Sequence, residues 1–146
     1  PYIKDAAVIG QGRAMLSAIV CGDCEAIGQW AQEHGVAYTS YAELSQQPQI
    51  YDLIGGQLAE VNAHLPHGLS VARFVNLHKE FDPDDGEVTR TRKLKRNVID
   101  DRYGPIIEAM NAGQEQIDFR AQITYENGQT GTLDRVLRLS DVKGAA

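Results

Sequence analysis

Between Pro48 and Leu65 the apolar residues Ile50, Leu53, Ile54, Leu58, Val61 and Leu65 follow one another at gaps of 3, 1, 4, 3 and 4. That spacing lines up side chains on one stripe of an α-helix, and Pro48 is favoured in a first turn. Such a stripe has to be covered, and the neighbouring segments indicate by what. Ala6 to Ile9 and Met15 to Val20 are short apolar, β-branched runs separated by Gly10-Gln11-Gly12-Arg13, which reads as two strands joined by a glycine-bearing loop. A dinucleotide-binding loop is disfavoured there, because the third glycine is missing and a strand-like run stands where a helix should start. Val71 to Leu77 is a further buried-strand segment, ahead of the turn Asp82-Pro83-Asp84-Asp85-Gly86.

Two more helices are expected. Asp23 is placed to cap one that carries Ile27, Trp30 and Ala31 on a single face and ends near Gly35. Leu94, Val98, Ile99, Tyr103, Ile106, Ile107 and Met110 predict another, with Thr91 as its cap and Gly113 as its stop. Ser40-Tyr41-Ala42-Glu43 matches a capping box and predicts one short helical turn. Beyond Gln114 the pattern changes: Ile117, Phe119, Ala121, Ile123 and Tyr125 alternate with polar residues ahead of Asn127-Gly128, the signature of a hairpin. The order β-β-α-α-β-α, then β-β, predicts an α+β fold. We expect a small antiparallel or mixed three-stranded sheet packed with helices over residues 1–113, followed by a β-hairpin extension and tail over 114–146.

A chain of 146 residues with 42% apolar content is one domain's worth, able to bury about 68–70% of the surface it exposes unfolded. The net charge of −6 argues against nucleic-acid binding by the whole surface. One stretch inverts the local field. Arg90, Arg92, Lys93, Lys95 and Arg96 fall within seven residues with no acidic group among them, so the remaining nine basic groups face all twenty acidic ones. If they open the helix expected there, each cation opposes the helix macrodipole by about 0.3–1 kcal/mol. An anion is the simplest ligand to justify them. Lys93, a flexible ammonium at a loop-to-helix junction, is suited to reach a phosphate or carboxylate, and Arg90 and Arg92 to clamp planar anions. Solvation of all five on an exposed face is the plainer reading. No aromatic residue is interleaved for base stacking.

Other constellations are weaker. Cys21-Gly22-Asp23-Cys24 has thiols at a redox or zinc spacing, but His34, His64, His67 and His78 lack the paired spacing that would complete a metal site. Asp100-Asp101 diverge on a helix, and Asp84-Asp85 lack the ordered oxygen spacing of a calcium loop. There is no nucleophilic serine context and no P-loop. No apolar run approaches the roughly 20 residues that span a bilayer, and no leader is apparent. A soluble, cytoplasmic protein is expected. A start at Pro1 leaves processing or membership of a longer polypeptide open.

Four ordered segments resemble the C-terminal domain of adenylate-forming acyl-CoA synthetases, the long-chain fatty acid group in particular. They are Pro1 to Gly10 with the apolar run to Val20; Val61-Asn62; Lys79-Glu80-Phe81 with Asp85 to Thr89; and Thr91-Arg92-Lys93-Leu94-Lys95-Arg96. The likeness covers roughly residues 1 to 112. It implies that residues 1–113 are a lid domain truncated at its N-terminal side, and that Lys93 occupies the catalytic position of a glycine-lysine-apolar-x-arginine pattern. Arg92 replaces the glycine, which leaves Lys95 as the other candidate lysine. By the same resemblance the complete enzyme uses ATP, Mg2+ and CoA with a fatty acid. The partner is the N-terminal adenylation domain of the same polypeptide, and a hinge and glycine-rich hairpin precede this region. The isolated segment is expected to be inactive and to hold none of these ligands. A different class of function stays open: a stand-alone module binding an acidic protein or RNA through residues 90–96. A lid that has lost catalysis and survives as a regulatory remnant is a third reading.

Overall fold

The computed structural model describes residues 2–10, 16–65, 70–81, 86–89, 91, 93–124 and 130–142, with main chain only for 120–124 and 130–135. Within it β1 (Ile3–Ile9) and β2 (Leu16–Gly22) pair antiparallel, with Val8 opposite Ala18. The loop residues Gln11, Gly12 and Arg13 lie outside the described residues. Asp23 caps α1 (Cys24–Glu33), its carboxylate accepting from the amides of Glu25 and Ala26 at 3.1 Å each, and Gly35 follows at φ +68°. Ser40 caps α2 (Tyr41–Leu44) by accepting from the Glu43 amide at 3.2 Å. The reciprocal half of the box is displaced by one residue: Glu43 accepts from the Thr39 amide at 3.3 Å. Helix α3 (Pro48–Ala63) begins on Pro48 as expected.

A crossover through these helices makes β3 (Val71–Asn76) parallel to β2. Because side chains alternate across a strand, β2 serves two cores. Ala18 and Val20 pack with α1, α2 and α3 through Ile27, Leu44, Ile50 and Ile54. Ile19 and Cys21 face Ile99, Ile106 and Met110 on the opposite side of the sheet. The helices therefore form layers on both faces. The stripe of α3 is buried at Ile50, Ile54 and Leu58, but Val61 and Leu65 are 51% and 38% exposed, so the last part of the expected stripe overhangs the sheet.

Two expectations need correction. The helix expected to run unbroken from about Thr91 is two, α4 (Arg96–Arg102) and α5 (Gly104–Asn111). Pro105 cannot donate an amide hydrogen bond inside a helix, and the chain restarts there with proline in a first turn. The sheet, expected to have three strands, has five in the order β1-β2-β3-β5-β4. Strands β4 (Gln116–Thr124) and β5 (Thr130–Asp141) form the expected hairpin, but β5 is long enough that its end pairs antiparallel with β3, Arg73 opposite Asp141 and Val75 opposite Leu139. Asn127 and Gly128 lie outside the described residues. The α+β class and the mixed sheet packed with helices stand.

Candidate functional site: a lysine-bearing ribbon beside the sheet

The described residues of the basic stretch ahead of Arg96 are not helical. Val88 and Leu94 form an antiparallel bridge, the Thr89 amide donates to the Lys93 carbonyl at 2.8 Å, and the Lys95 amide donates to the Glu87 carbonyl at 2.9 Å. The segment is thus a short ribbon that leaves the core at Glu87 and returns to it at Lys95. Thr89 supports its end, since its hydroxyl accepts from the Lys93 amide at 3.0 Å and lies 3.1 Å from the Thr91 hydroxyl. Thr91 is not a helix cap. Lys95 takes that position, with no side-chain hydrogen bond to the helix, and Arg96 is the first helical residue. The macrodipole penalty expected for five cations applies at most to the residues at the boundary.

Lys93 and Lys95 are exposed, with Leu94 between them packed against the core. In extended chain that alternation puts the two ammonium groups on the solvent side of the ribbon. Arg96 is exposed and donates to the Val8 carbonyl at 2.6 Å, so its guanidinium is partly engaged in tying the start of α4 to β1. Arg90 and Arg92 lie outside the described residues. Lys93 is therefore a solvent-facing cation on a segment fixed by main-chain bonds on both sides, free to meet an anion brought from outside the domain.

The ribbon is anchored by a residue that sequence reasoning passed over. Glu87 is completely buried. Its carboxylate pairs with Lys79 and accepts a short hydrogen bond from the Tyr103 hydroxyl, and Arg102 Nη1 lies 3.4 Å from the same oxygen as Tyr103. Burial and the adjoining carboxylate push the Tyr103 phenol well above its usual value. An acidic residue ahead of a basic run reads as solvated. Only the fold brings in Lys79, eight residues earlier, and Tyr103, sixteen later.

Among the described residues the cysteines do not combine with other metal ligands. Cys21 is buried in β2 and Cys24 is the first residue of α1; among the described residues no three His, Cys, Asp or Glu side chains converge on a metal-sized site. Asp84, Asp85 and His67 lie outside the described residues. Asp100 and Asp101 are exposed on α4. No helix among the described residues is long and apolar enough to cross a membrane.

Comparison with known proteins adds the family. No family model matches the chain. The long-chain-fatty-acid–CoA ligase FadD15 of Mycobacterium tuberculosis is 31% identical over 111 residues, 75% of this chain and 18% of that protein. The putative fatty-acid–CoA ligase fadD11 of the same organism is 32% identical over 114 residues, 78% of this chain and 20% of that one. The long-chain-fatty-acid–CoA ligase ACSBG2 of Gallus gallus is 29% identical over 130 residues, 77% of this chain and 17% of its own length. Among solved structures, the A-PCP didomain of carboxylic acid reductase from Segniliparus rugosus, in complex with AMP, superposes with a TM-score of 0.59. It is 20% identical, covering 77% of this chain and 14% of that one, a likeness of fold alone. The chain spans about a fifth of the length of the curated relatives it matches. Over three quarters of its own length it is a homologue of the long-chain fatty-acid–CoA ligases.

Proposed function

We propose that this chain works as the mobile C-terminal domain of an ATP-dependent fatty-acid–CoA ligase, and that Lys93 is the cation it brings to acyl-adenylate formation. The single observation that carries the reading is the exposed Lys93 ammonium on a main-chain-clamped ribbon in a chain homologous to such ligases. In the first half-reaction a fatty acid carboxylate oxygen attacks the α-phosphorus of ATP, forming a P–O bond and expelling pyrophosphate. In the second, the thiol of CoA attacks the acyl carbon and AMP leaves. Negative charge crowds together as the carboxylate nears the phosphates. A positioned cation in a closed, water-poor site offsets that charge far better than one in bulk water. The donors on this ribbon are ammonium groups, suited to carboxylate and phosphate oxygens. The magnesium ligands, with most contacts to ATP, fatty acid and CoA, are assigned in this reading to the adenylation domain. After adenylation the domain turns away to admit the thiol.

In the ligase polypeptide that contains this chain, Lys93→Ala should lower pyrophosphate release during adenylation by about 10²-fold or more, the scale of losing one transition-state charge partner. Thioester formation from supplied acyl-adenylate should remain within about threefold of the parent. Lys95→Ala, measured in parallel, tells the two candidate lysines apart and should lower adenylation less than Lys93→Ala does. Equal loss of the two half-reactions on Lys93→Ala, or loss of neither, would refute the assignment.

A further inference from the structure

We infer that Glu87 is the positioning residue for Lys93: its buried carboxylate fixes the orientation of the ribbon from which the lysine is presented. The inference rests on the reading of Lys93 given above and adds a residue with no contact to substrate. Val88 and Leu94 already insert apolar side chains into the core from the two sides of the ribbon, which is enough to hold it down. Apolar contacts, however, carry little directional information, and a two-residue bridge permits the ribbon to rock about it. The Glu87 carboxylate removes that freedom. One oxygen is held by Lys79, beyond the end of β3, and the other by Tyr103 and Arg102, at the junction of α4 and α5. The main chain of the same residue accepts from the Lys95 amide and so closes the ribbon, while two separate parts of the fold hold its carboxylate.

A buried carboxylate is a poor choice for stability alone, since an apolar side chain of similar size avoids the desolvation cost, and a retained buried ionic group is best accounted for by what it orients. The partners fit that role. Two cations face one carboxylate, and Tyr103, buried in the core and packed against Phe81 and Phe119, keeps its proton and serves as a fixed donor. A ribbon released from these partners still folds against the core through Val88 and Leu94 but samples more than one tilt. A displacement of about 1 Å of a catalytic group can cost on the order of 10²-fold in rate.

The test uses the ligase polypeptide that contains this chain. Glu87→Gln keeps the shape of the side chain and removes its charge. It should slow adenylation by about 10- to 100-fold through kcat, with KM for ATP and for the fatty acid changed less than about threefold. Conversion of supplied acyl-adenylate to thioester should be spared. Placed in the Lys93→Ala background, the same substitution should add little further loss, because residues acting through one another are not additive. Tyr103→Phe, which keeps the ring packing and deletes one hydrogen bond, should give a smaller loss with the same kcat bias, and it carries the test alone if Glu87→Gln fails to fold. A normal adenylation rate in the soluble Glu87→Gln enzyme, a full additional loss in the Lys93→Ala background, or an unfolded Glu87→Gln together with a silent Tyr103→Phe would each overturn the inference. If Lys93→Ala itself leaves adenylation intact, the functional reading fails first; if Lys93→Ala is inactive while Glu87→Gln is normal, only the positioning role falls.

Discussion

Cys24 stands where a helix ordinarily makes a thiol acidic, at the first position of α1, because the amides there favour an anion. In this chain the opposite holds. Burial, then the hydrogen bond and charge of Glu80, then the charge of Asp23 push its thiol up to about 12, with Lys4 only partly opposing them. The capping carboxylate that starts the helix thus also suppresses the thiolate. Cys21, three residues earlier in β2, is pushed higher still by burial. The redox spacing of Cys21 and Cys24 is therefore not accompanied by redox-ready thiols. At pH 8 iodoacetamide should alkylate Cys24 more than about tenfold more slowly than a free cysteine of pKa about 8.5, and the rate should climb as pH approaches 12. Glu80→Gln, which removes the principal charged opponent, should speed it. Mass spectrometry of timed digests reads both, and labelling of Cys24 at the free-cysteine rate would contradict the picture. Residue types and spacing announced the motif; the sign of its reactivity depended on burial first and then on Glu80, brought in from fifty-six residues away.

At the level of elements, the same substitution should have opposite effects at two glycines. Gly86, leading into the ribbon, has φ +77° and open space where a Cβ would go; Gly86→Ala should cost about 1–2 kcal/mol by backbone strain alone. Gly56 lies within α3, also with open space at its Cβ, and Gly56→Ala should stabilise by about 0.5–1 kcal/mol. Urea denaturation of the two variants against the parent checks the pair, and a common sign would break the argument. The signals readable from sequence were of this local kind. Asp23 and Ser40 start their helices because the amides they accept from lie within a turn, and Pro48 because its fixed φ suits a first turn. Gly104-Pro105 carried a visible stop signal, yet Ile99, Tyr103, Ile106, Ile107 and Met110 all reach one core across the break, so the apolar stripe concealed it. Among the described residues of the ribbon, the apolar side chains that turn inward are Val88 and Leu94. Leu94, four residues before Val98, then passed for part of a helix. Glu87 was illegible for a plainer reason: its partners are assembled by tertiary structure, and charge in sequence looks the same whether solvated or buried.

For the whole molecule the decisive contact is one that no local pattern encodes, the attachment of the C-terminal hairpin to the sheet. Among the described residues three pairs join β3 to β5, a short ladder for a strand of twelve residues. Arg73 compensates. Buried in β3, it donates Nη1 to the Met110 carbonyl at 2.8 Å and Nη2 to the carbonyls of Gln114 and Leu139, the latter at 3.1 Å. One guanidinium thereby joins the end of α5, the approach to β4 and the end of β5. Its Nε also lies 3.0 Å from Asp141, whose side chain is 84% exposed. Tyr51 adds a second fastening from the other face, its hydroxyl donating to the Arg138 carbonyl at 2.6 Å. Hydrogen bonds to a charged group are worth about 1.5–3 kcal/mol each, and buried carbonyls left without them carry a desolvation cost. Arg73→Met keeps most of the aliphatic packing and should therefore lower stability by about 3–5 kcal/mol. Asp141→Ala removes an exposed ion-pair partner and should cost under about 1 kcal/mol. Hydrogen exchange should localise the first loss to amides of β5 paired with β3, since the guanidinium binds carbonyls at that seam, while amides of β1 and β2 keep the protection of the remaining sheet. Equal losses in the two variants would assign the hairpin's attachment to the surface ion pair instead of to the three carbonyls that Arg73 holds.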